Sequence, residues 1–153
     1  MSDFRGVFPY LVSPVRADGR VDADVLGQAL DGLLAWDLKR RLDADAPTHF
    51  TAPTGNSHPI QYDGPGAPIL SIRVQELFGL IVHPSIAGGR LPLTLELLSP
   101  AHRPIQITRD LPGFWKGSWA AVKAEMKGRY PRHPWPDDPA SAAPTARAKP
   151  RGT

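Results

Sequence analysis

The sequence predicts a small domain that is mainly β with α-helices, and three observations support that class. Between residues 48 and 110, short β-forming runs alternate with turns rich in Gly and Pro. Their order is strand, strand, strand, helix, strand, strand, which is the order of a five-stranded OB-like β-barrel, although other small barrels share it. An amphipathic helix and an extended Pro-rich tail follow. A chain of 153 residues is long enough for one such domain with a buried core and tails.

The N-terminal part of the chain predicts a strand followed by two helices. Residues 6–15, "GVFPYLVSPV", form an apolar run typical of a buried strand. After a turn, Asp22 is placed to cap a helix over 22–34. Residues 34–43 predict a short charged helix, which Pro47 ends. The apolar positions of the first helix recur at helical spacing: Val25, Leu26, Ala29, Leu30, Leu33 and Leu34.

The central part predicts the barrel strands and the helices that flank them. The period of residues 73–80 indicates a short helix between the third and fourth strands. A longer helix is predicted over 112–128, with Phe114, Trp115, Trp119, Val122 and Met126 on one face. The predicted strands are 48–53, 58–63, 69–74, 90–99 and 103–110.

Four segments follow from this pattern. Residues 1–33 form a strand–helix fragment, 34–47 a linker helix, 48–139 the OB-like domain with its extension, and 140–153 a disordered basic tail. Within the extension, "GRYPRHPWPDDP" at 128–139 has too many prolines for a helix.

Two interpretations of that Pro-rich stretch are compatible with each other. Tyr130 and Trp135 are placed to anchor an extended strap across the domain, and prolines reduce the entropy that such a strap loses on docking. Alternatively, Arg129 and Arg132 beside Tyr130 grip a single nucleic-acid strand by charge and stacking.

Composition excludes several kinds of function. The chain has no cysteine, so disulfides, thiolate metal sites and cysteine nucleophiles are excluded. The N-terminus lacks the pattern of a signal peptide, and no apolar run has the length of a membrane helix. We therefore expect a cytoplasmic location and no membrane partner.

The net charge of +3 is unevenly distributed. Residues 109–153 hold nine Lys or Arg against four Asp or Glu, a net charge of +5, which leaves −2 for residues 1–108. A basic C-terminal third is compatible with single-stranded RNA or DNA as partner, and equally with a tail that only aids solubility.

Phosphate contacts come mainly from Lys and Arg, and stacking comes from aromatic rings. Lys116, Lys123 and Lys127 are spaced to fall on one side of the predicted helix, either as a nucleic-acid-facing stripe or as a solvated face. Four arginines at predicted strand or loop edges reach either a phosphate or one of the carboxylates Glu76, Glu96 and Asp110. They are Arg73, Arg90, Arg103 and Arg109. The candidate nucleic-acid-binding residues are Arg109, Lys116, Lys123, Lys127, Arg129, Tyr130 and Arg132.

No catalytic residue, metal site or cofactor is predicted. The sequence contains no G-x-x-x-x-G-K-[ST] phosphate loop and no Asp-Glu-x-His box, which ATP hydrolysis by a helicase motor requires. The histidines are scattered without metal-ligand spacing, at His49, His58, His83, His102 and His133.

Several long blocks carry a family resemblance. "APTHFTAPTGN", "PILSIRVQELFG", "IAGGRLPLTLELLSPAHRPIQITRDLPGFWKGSW" and "MKGRYPRHPWPDDPASAAPTARAK" resemble the C-terminal end of HrpB-type ATP-dependent helicases of the DEAH/RHA group. The resemblance covers about residues 33–149. It implies an accessory module with an OB-like barrel, and the helicase core domains as its partner in the intact family.

Residues 5–33 carry a different resemblance. "GVFPYLVSPV", "DGRVD" and the helix after them are similar to the first strand and helix of the dihydrodipicolinate synthase family, whose members are (β/α)8 barrels. One βα unit cannot close a barrel of eight, so a lyase activity is disfavoured. The two resemblances together predict a fusion. Either the chain binds single strands weakly and without sequence preference, or it is a non-functional or protein-interaction remnant.

Overall fold

The computed structural model describes residues 15–148. The chain divides into two compact units, residues 1–42 and 43–153. The strand predicted at 6–15 falls outside the described residues except for Val15, which forms an isolated antiparallel bridge with Val21. The boundary at 33, predicted between the first fragment and the linker helix, is not where these units divide.

Two helices occupy the beginning of the described chain. Helix α1 spans Ala23–Leu33, and the Asp22 carboxylate caps it by accepting hydrogen bonds from the backbone N–H groups of Asp24 and Val25. This confirms the predicted helix and its cap. Helix α2 spans Trp36–Asp45 and contains no buried residue, as expected for a short, charged helix.

Seven strands and one 3₁₀ turn follow, where five strands and a helix were predicted. The segment predicted as one strand over 90–99 is split, because Pro92 ends a two-residue hairpin strand before the longer strand begins. A 3₁₀ turn, Val74–Leu77, occupies the place of the helix predicted at 73–80. The strands are β1 (His49–Thr51), β2 (Ser57–Gln61), β3 (Ile69–Arg73), β4 (Ser85–Ile86), β5 (Leu91–Pro92), β6 (Thr94–Leu98) and β7 (Pro104–Thr108).

Five of these strands form one sheet in the order β1-β2-β3-β6-β7, and β4 pairs with β5 alone. Strands β3 and β6 are parallel, with Arg73 opposite Leu98, whereas the other pairs in the sheet are antiparallel. Among the described residues β1 and β7 remain the two edges of this sheet. Within residues 15–148 the three-residue β1 pairs with β2 alone and has no pairing with β7, so the closed OB-like barrel is not confirmed.

The core lies between one face of the sheet and two C-terminal helices, α3 (Leu111–Lys116) and α4 (Trp119–Arg129). These are two separate helices, so the prediction of one continuous helix over 112–128 is wrong. Gly117 adopts φ −104° and ψ −85°, which ends α3, and α4 begins two residues later. The core residues come from the strands, the 3₁₀ turn and both helices, and include Leu70, Ile72, Leu77, Phe78, Leu95, Leu97, Leu111, Phe114, Trp115, Trp119, Val122 and Met126.

The helix break lets two tryptophans pack against each other in the core. The rings of Trp115 and Trp119 lie 5.5 Å apart at 89°, an edge-to-face arrangement that aromatic pairs favour. Phe78 contacts the edge or face of both rings. Lys116 therefore belongs to a different helix from Lys123 and Lys127, and the stripe of three lysines stays a prediction.

The Pro-rich stretch after α4 forms the predicted strap. Tyr130 and Trp135 are partly buried against the core. The Trp135 indole N–H donates to the Tyr130 carbonyl at 2.9 Å, and the Trp119 indole N–H donates to the Pro136 carbonyl at 2.9 Å. The anchoring role predicted for Tyr130 and Trp135 is confirmed.

Residues 140–148, which were assigned to a disordered tail, make defined contacts. Ala140 and Ala142 pack against the core. The Thr145 backbone N–H donates to the Gln75 carbonyl at 3.0 Å, and the Gly79 N–H donates to the Pro139 carbonyl at 2.9 Å. The chain after the strap is thus held along the 3₁₀ turn as far as Thr145.

Trp119→Phe tests how strongly the strap depends on the aromatic core. Trp119 is 2% exposed. The substitution removes the N–H donor to Pro136 and part of the ring, so we expect the free energy of unfolding to fall by roughly 1–2 kcal/mol. Urea unfolding measures the change. Trp36→Phe is the control, because Trp36 is 72% exposed, and equal stability of the two variants would contradict the prediction.

Candidate nucleic-acid interface

Four of the seven candidate residues lie close together in the sequence, at the end of α4 and just after it. Lys127 and Arg129 occupy the last turn of α4, where positive charge is favourable to the helix dipole. Tyr130 caps the helix, and Arg132 follows in the first turn of the strap. Arg109 follows β7 and Lys116 ends α3, so these two lie on other elements.

Two of the candidate cations are held by carboxylates. The Lys123 ammonium donates to the Asp137 carboxylate of the strap. Hydrogen bonding to Lys123, then the charges of Lys123 and Lys127, lower the pKa of Asp137. Arg129 forms an i,i+4 ion pair with Glu125 at 3.0 Å. These cations therefore have structural partners already.

The other four candidate cations are exposed. Within residues 15–148, the structure records no hydrogen bond or ion pair from the side chains of Arg109, Lys116, Lys127 and Arg132. Their positive charges face solvent, which is the arrangement that phosphate contacts require.

Tyr130 connects the end of α4 to the end of the sheet. Its hydroxyl lies 3.5 Å from the Ser99 hydroxyl, just after β6, and its ring meets the His133 ring edge-on at 6.3 Å. The ring is partly buried, so Tyr130 has a structural role as well as a surface for stacking.

The central polar residue of this region is Glu76, which was not among the candidate residues. Its side chain is 0% exposed, and its two carboxylate oxygens accept hydrogen bonds from four side chains. Arg73 donates from Nε and Nη2 at 3.0 and 2.9 Å to one oxygen. The other oxygen is bonded by Asn56 Nδ2 at 2.7 Å, Thr54 Oγ1 at 3.0 Å and His58 Nε2 at 3.1 Å.

This network decides between the two interpretations of Arg73. The sequence left open whether Arg73 contacts a phosphate or a carboxylate, and the structure shows the carboxylate contact. The signal for Glu76 in the sequence was its place three residues after Arg73, between the apolar residues Val74 and Leu77. Arg90 pairs instead with Asp45 at 3.9 Å.

Burial and hydrogen bonding act on Glu76 in opposite directions. Burial raises its pKa, but the hydrogen bonds from Asn56, His58, Arg73 and Thr54 outweigh burial and hold the pKa below its ordinary value of 4.5. Glu76 is therefore ionised in the folded protein at neutral pH, and its charge is balanced by Arg73.

A cavity of about 290 Å³ opens beside this network. The turn before β2, the end of β3 and the turn after β6 converge there, because the parallel strands β3 and β6 end at the same edge of the sheet. The lining residues are Asn56, Ser57, His58, Ser71, Ile72, Arg73, Glu76, Leu98 and His102.

The strap lies within electrostatic range of this cavity. Burial first, and then the charges of Arg73 and Arg132, lower the pKa of His133. His133 of the strap therefore lies near the charges of both Arg73, at the end of β3, and Arg132.

The described part of the chain offers neither a metal-binding cluster nor a membrane-spanning helix. No group of three or more His, Asp or Glu residues within 15–148 is arranged to hold a metal ion. None of the helices described there has the length and apolar character needed to cross a membrane.

The fold and these contacts define a helicase-associated C-terminal domain when they are compared with known proteins. A family model described as "ATP-dependent helicase C-terminal" (HrpB_C) matches residues 8–139, and the chain belongs to that family. The predicted resemblance to HrpB-type helicases is confirmed.

Individual relatives agree with this assignment. The chain is 58% identical over 122 residues to "ATP-dependent RNA helicase HrpB" of Escherichia coli (strain K12), covering 80% of this chain and 15% of the relative. A crystal structure of the E. coli DExH-box NTPase HrpB matches with a TM-score of 0.80 and 51% identity, covering 93% of this chain and 18% of that one. A second structure, of the E. coli DEAH/RHA helicase HrpB, matches with a TM-score of 0.57 and 54% identity, over 71% and 14% of the two chains.

The matched range extends further towards the N-terminus than the predicted one. The family model begins at residue 8, inside the segment 5–33 that resembles the dihydrodipicolinate synthase family. The predicted fusion is thus not confirmed by these matches. The chain spans 15% of the length of the E. coli relative.

Glu76→Gln tests the importance of the buried carboxylate and its pH dependence. A depressed folded-state pKa contributes stability that is complete above the unfolded value near 4.5 and is lost as pH falls through the lower folded value. Glutamine removes the charge, so we expect the free energy of unfolding at pH 7 to fall by roughly 1.5–3 kcal/mol. Urea unfolding between pH 7 and pH 3 measures both effects.

The variant should also lose less stability on acidification than the unmodified protein. Glu125→Gln is the control, since Glu125 is an exposed helix residue paired only with Arg129. If the Glu76→Gln variant and the unmodified protein lost stability in parallel below pH 4.5, Glu76 would not be the group responsible.

Proposed function

We propose that this chain is a non-catalytic accessory module of an ATP-dependent helicase and binds single-stranded RNA or DNA weakly, without sequence preference. Membership of the helicase C-terminal family supports the accessory role. The lack of a G-x-x-x-x-G-K-[ST] loop in the sequence supports a role other than ATP hydrolysis.

The observation that carries the binding proposal is the arrangement of cations around Tyr130. Lys127 and Arg132 flank this half-buried aromatic residue along the chain, and both are exposed. Exposed cations beside an aromatic ring are the elements that bind a single strand, through phosphate contacts and base stacking. Because Lys123 and Arg129 already pair with carboxylates, we assign them supporting roles in shaping this surface.

The helicase core domains are the proposed protein partner in longer relatives. No described residue of the first unit, between 15 and 42, is buried, and Leu33 at the end of α1 is 82% exposed. Contiguous apolar residues exposed in this way are typical of an interaction surface. The relative of 58% identity is far longer than this chain. This supports the proposal that the surface packs against other domains of the same protein.

Fluorescence anisotropy with labelled single-stranded RNA and DNA tests the nucleic-acid proposal. We expect a Kd of about 1–100 μM at low salt, weakening steeply with added salt as neutralised phosphates release counterions. The double variant Lys127→Ala/Arg132→Ala should bind roughly tenfold more weakly. Point variants are preferable to removing the residues after 129, because Tyr130 and Trp135 pack against the core.

The matched control is Arg20→Ala/Arg41→Ala, which removes the same charge from two exposed residues of the first unit. Equal weakening in both double variants would show that only net charge matters. An absence of binding at low salt would exclude the nucleic-acid role and favour the alternative, a protein-interaction function alone.

A further inference from the structure

We propose that the cavity beside Glu76 is a phosphate-binding site that takes one backbone phosphate of a single-stranded nucleic acid, with Arg73, Ser57 and His102 as its ligands. This inference rests on the proposed function and names the residues at which the strand is held. None of these three residues was among the candidates along α4 and the strap.

The cavity is built from residues whose positions are fixed by the sheet. Ser57 opens β2, Arg73 ends β3, and His102 lies in the turn that follows β6. That turn is closed by hydrogen bonds from His102 N and Arg103 N to the backbone and side chain of Ser99 at 2.9 and 3.1 Å. The three groups therefore converge on the cavity without rearrangement of the fold.

The Glu76 network orients Arg73 for a second ligand. A guanidinium has five N–H donors in a plane, and Glu76 uses only Nε and Nη2. The side chain remains 21% exposed and lines the cavity, so donors remain for a second ligand. Glu76 thus fixes the plane of the guanidinium in advance, which reduces the entropy lost when a phosphate binds.

The carboxylates at the cavity are each engaged by neighbouring donors. Glu76 is buried and bonded by four side chains, and Glu96 accepts a hydrogen bond from Ser71. A phosphodiester would meet free N–H and O–H donors and no unpaired carboxylate.

The size of the cavity agrees with a small polar ligand. At about 290 Å³ it lies at the lower end of the range of ligand pockets. The lining is mainly polar, with two histidines, two serines, an asparagine, Arg73 and the Glu76 carboxylate that pairs with Arg73. One phosphate with part of its sugar is compatible with this volume, and neighbouring nucleotides would then extend towards Tyr130, which the Ser99 contact joins to the same sheet edge.

Ser57→Glu places a carboxylate in the cavity while leaving the Arg73–Glu76 network intact. Ser57 is exposed, so the substitution should be tolerated by the fold. The matched control is Ser85→Glu, the same change at an exposed strand residue that does not line the cavity. We expect Ser57→Glu to weaken single-strand binding about tenfold and Ser85→Glu to weaken it less than about twofold.

The salt dependence supplies a second readout. Loss of one phosphate contact should reduce the slope of log K against log salt by about 0.7 for Ser57→Glu and leave it unchanged for Ser85→Glu. His102→Asn should weaken binding about threefold, since asparagine keeps the left-handed backbone that His102 adopts at φ 59° but removes the imidazole.

Amide NMR titration with uridylyl-uridine, and separately with inorganic phosphate, locates the site directly. We expect the dinucleotide to shift the amides of Ser57, Arg73 and His102, and Ser57→Glu to abolish the shifts. Dinucleotide shifts without binding of longer strands would contradict the proposed function but retain the phosphate site. If Ser57→Glu and Ser85→Glu bound the strand with equal affinity, the proposed function would stand and the proposed phosphate site would be wrong. Shifts by inorganic phosphate alone would overturn its assignment to a strand.

Discussion

The buried carboxylate of Glu76 is the interaction on which the sheet edge depends. Its hydrogen bonds join the β1–β2 turn, β2 and β3 to the 3₁₀ turn, although these segments lie up to 22 residues apart in the chain. An isolated buried charge would be strongly unfavourable, so the four donors must all be in place when Glu76 is buried. The adjacent Gln75 carbonyl receives Thr145, so the same turn also positions the chain that follows the strap.

The aromatic cluster has a comparable role on the opposite side of the core. Trp119 contacts Phe78 of the β3–β4 connection, the α3 aromatic rings and Trp135 of the strap. Its indole N–H is bonded to the Pro136 carbonyl, so the strap is fixed by a directional contact in addition to apolar packing. The helices, the 3₁₀ turn and the strap are therefore coupled through one buried residue.

The local sequence pattern predicted the individual helices and strands better than the way the strands pair. The Asp22 cap, α1 and the five main strands follow from short-range signals, and the strap follows from its prolines and two aromatic residues. The open edge of β1 depends on pairings between distant segments, which one strand's sequence does not encode. From the sequence, Glu76 was only one possible partner of the arginines, because its other donors come from the distant residues 54–58 and a glutamate is ordinarily exposed.

The total charge of the C-terminal third overstates its capacity to bind a polyanion. Lys123 and Arg129 pair with Asp137 and Glu125, so part of the +5 stabilises the strap and α4. A weak site is nevertheless sufficient for an accessory module that is covalently joined to a larger protein, since linkage makes the second contact effectively intramolecular. The relative of 58% identity is more than six times the length of the matched segment, which covers 15% of it. Under the proposed function, a few exposed cations and one ordered arginine in such a protein would increase the retention of a strand although each single contact is weak.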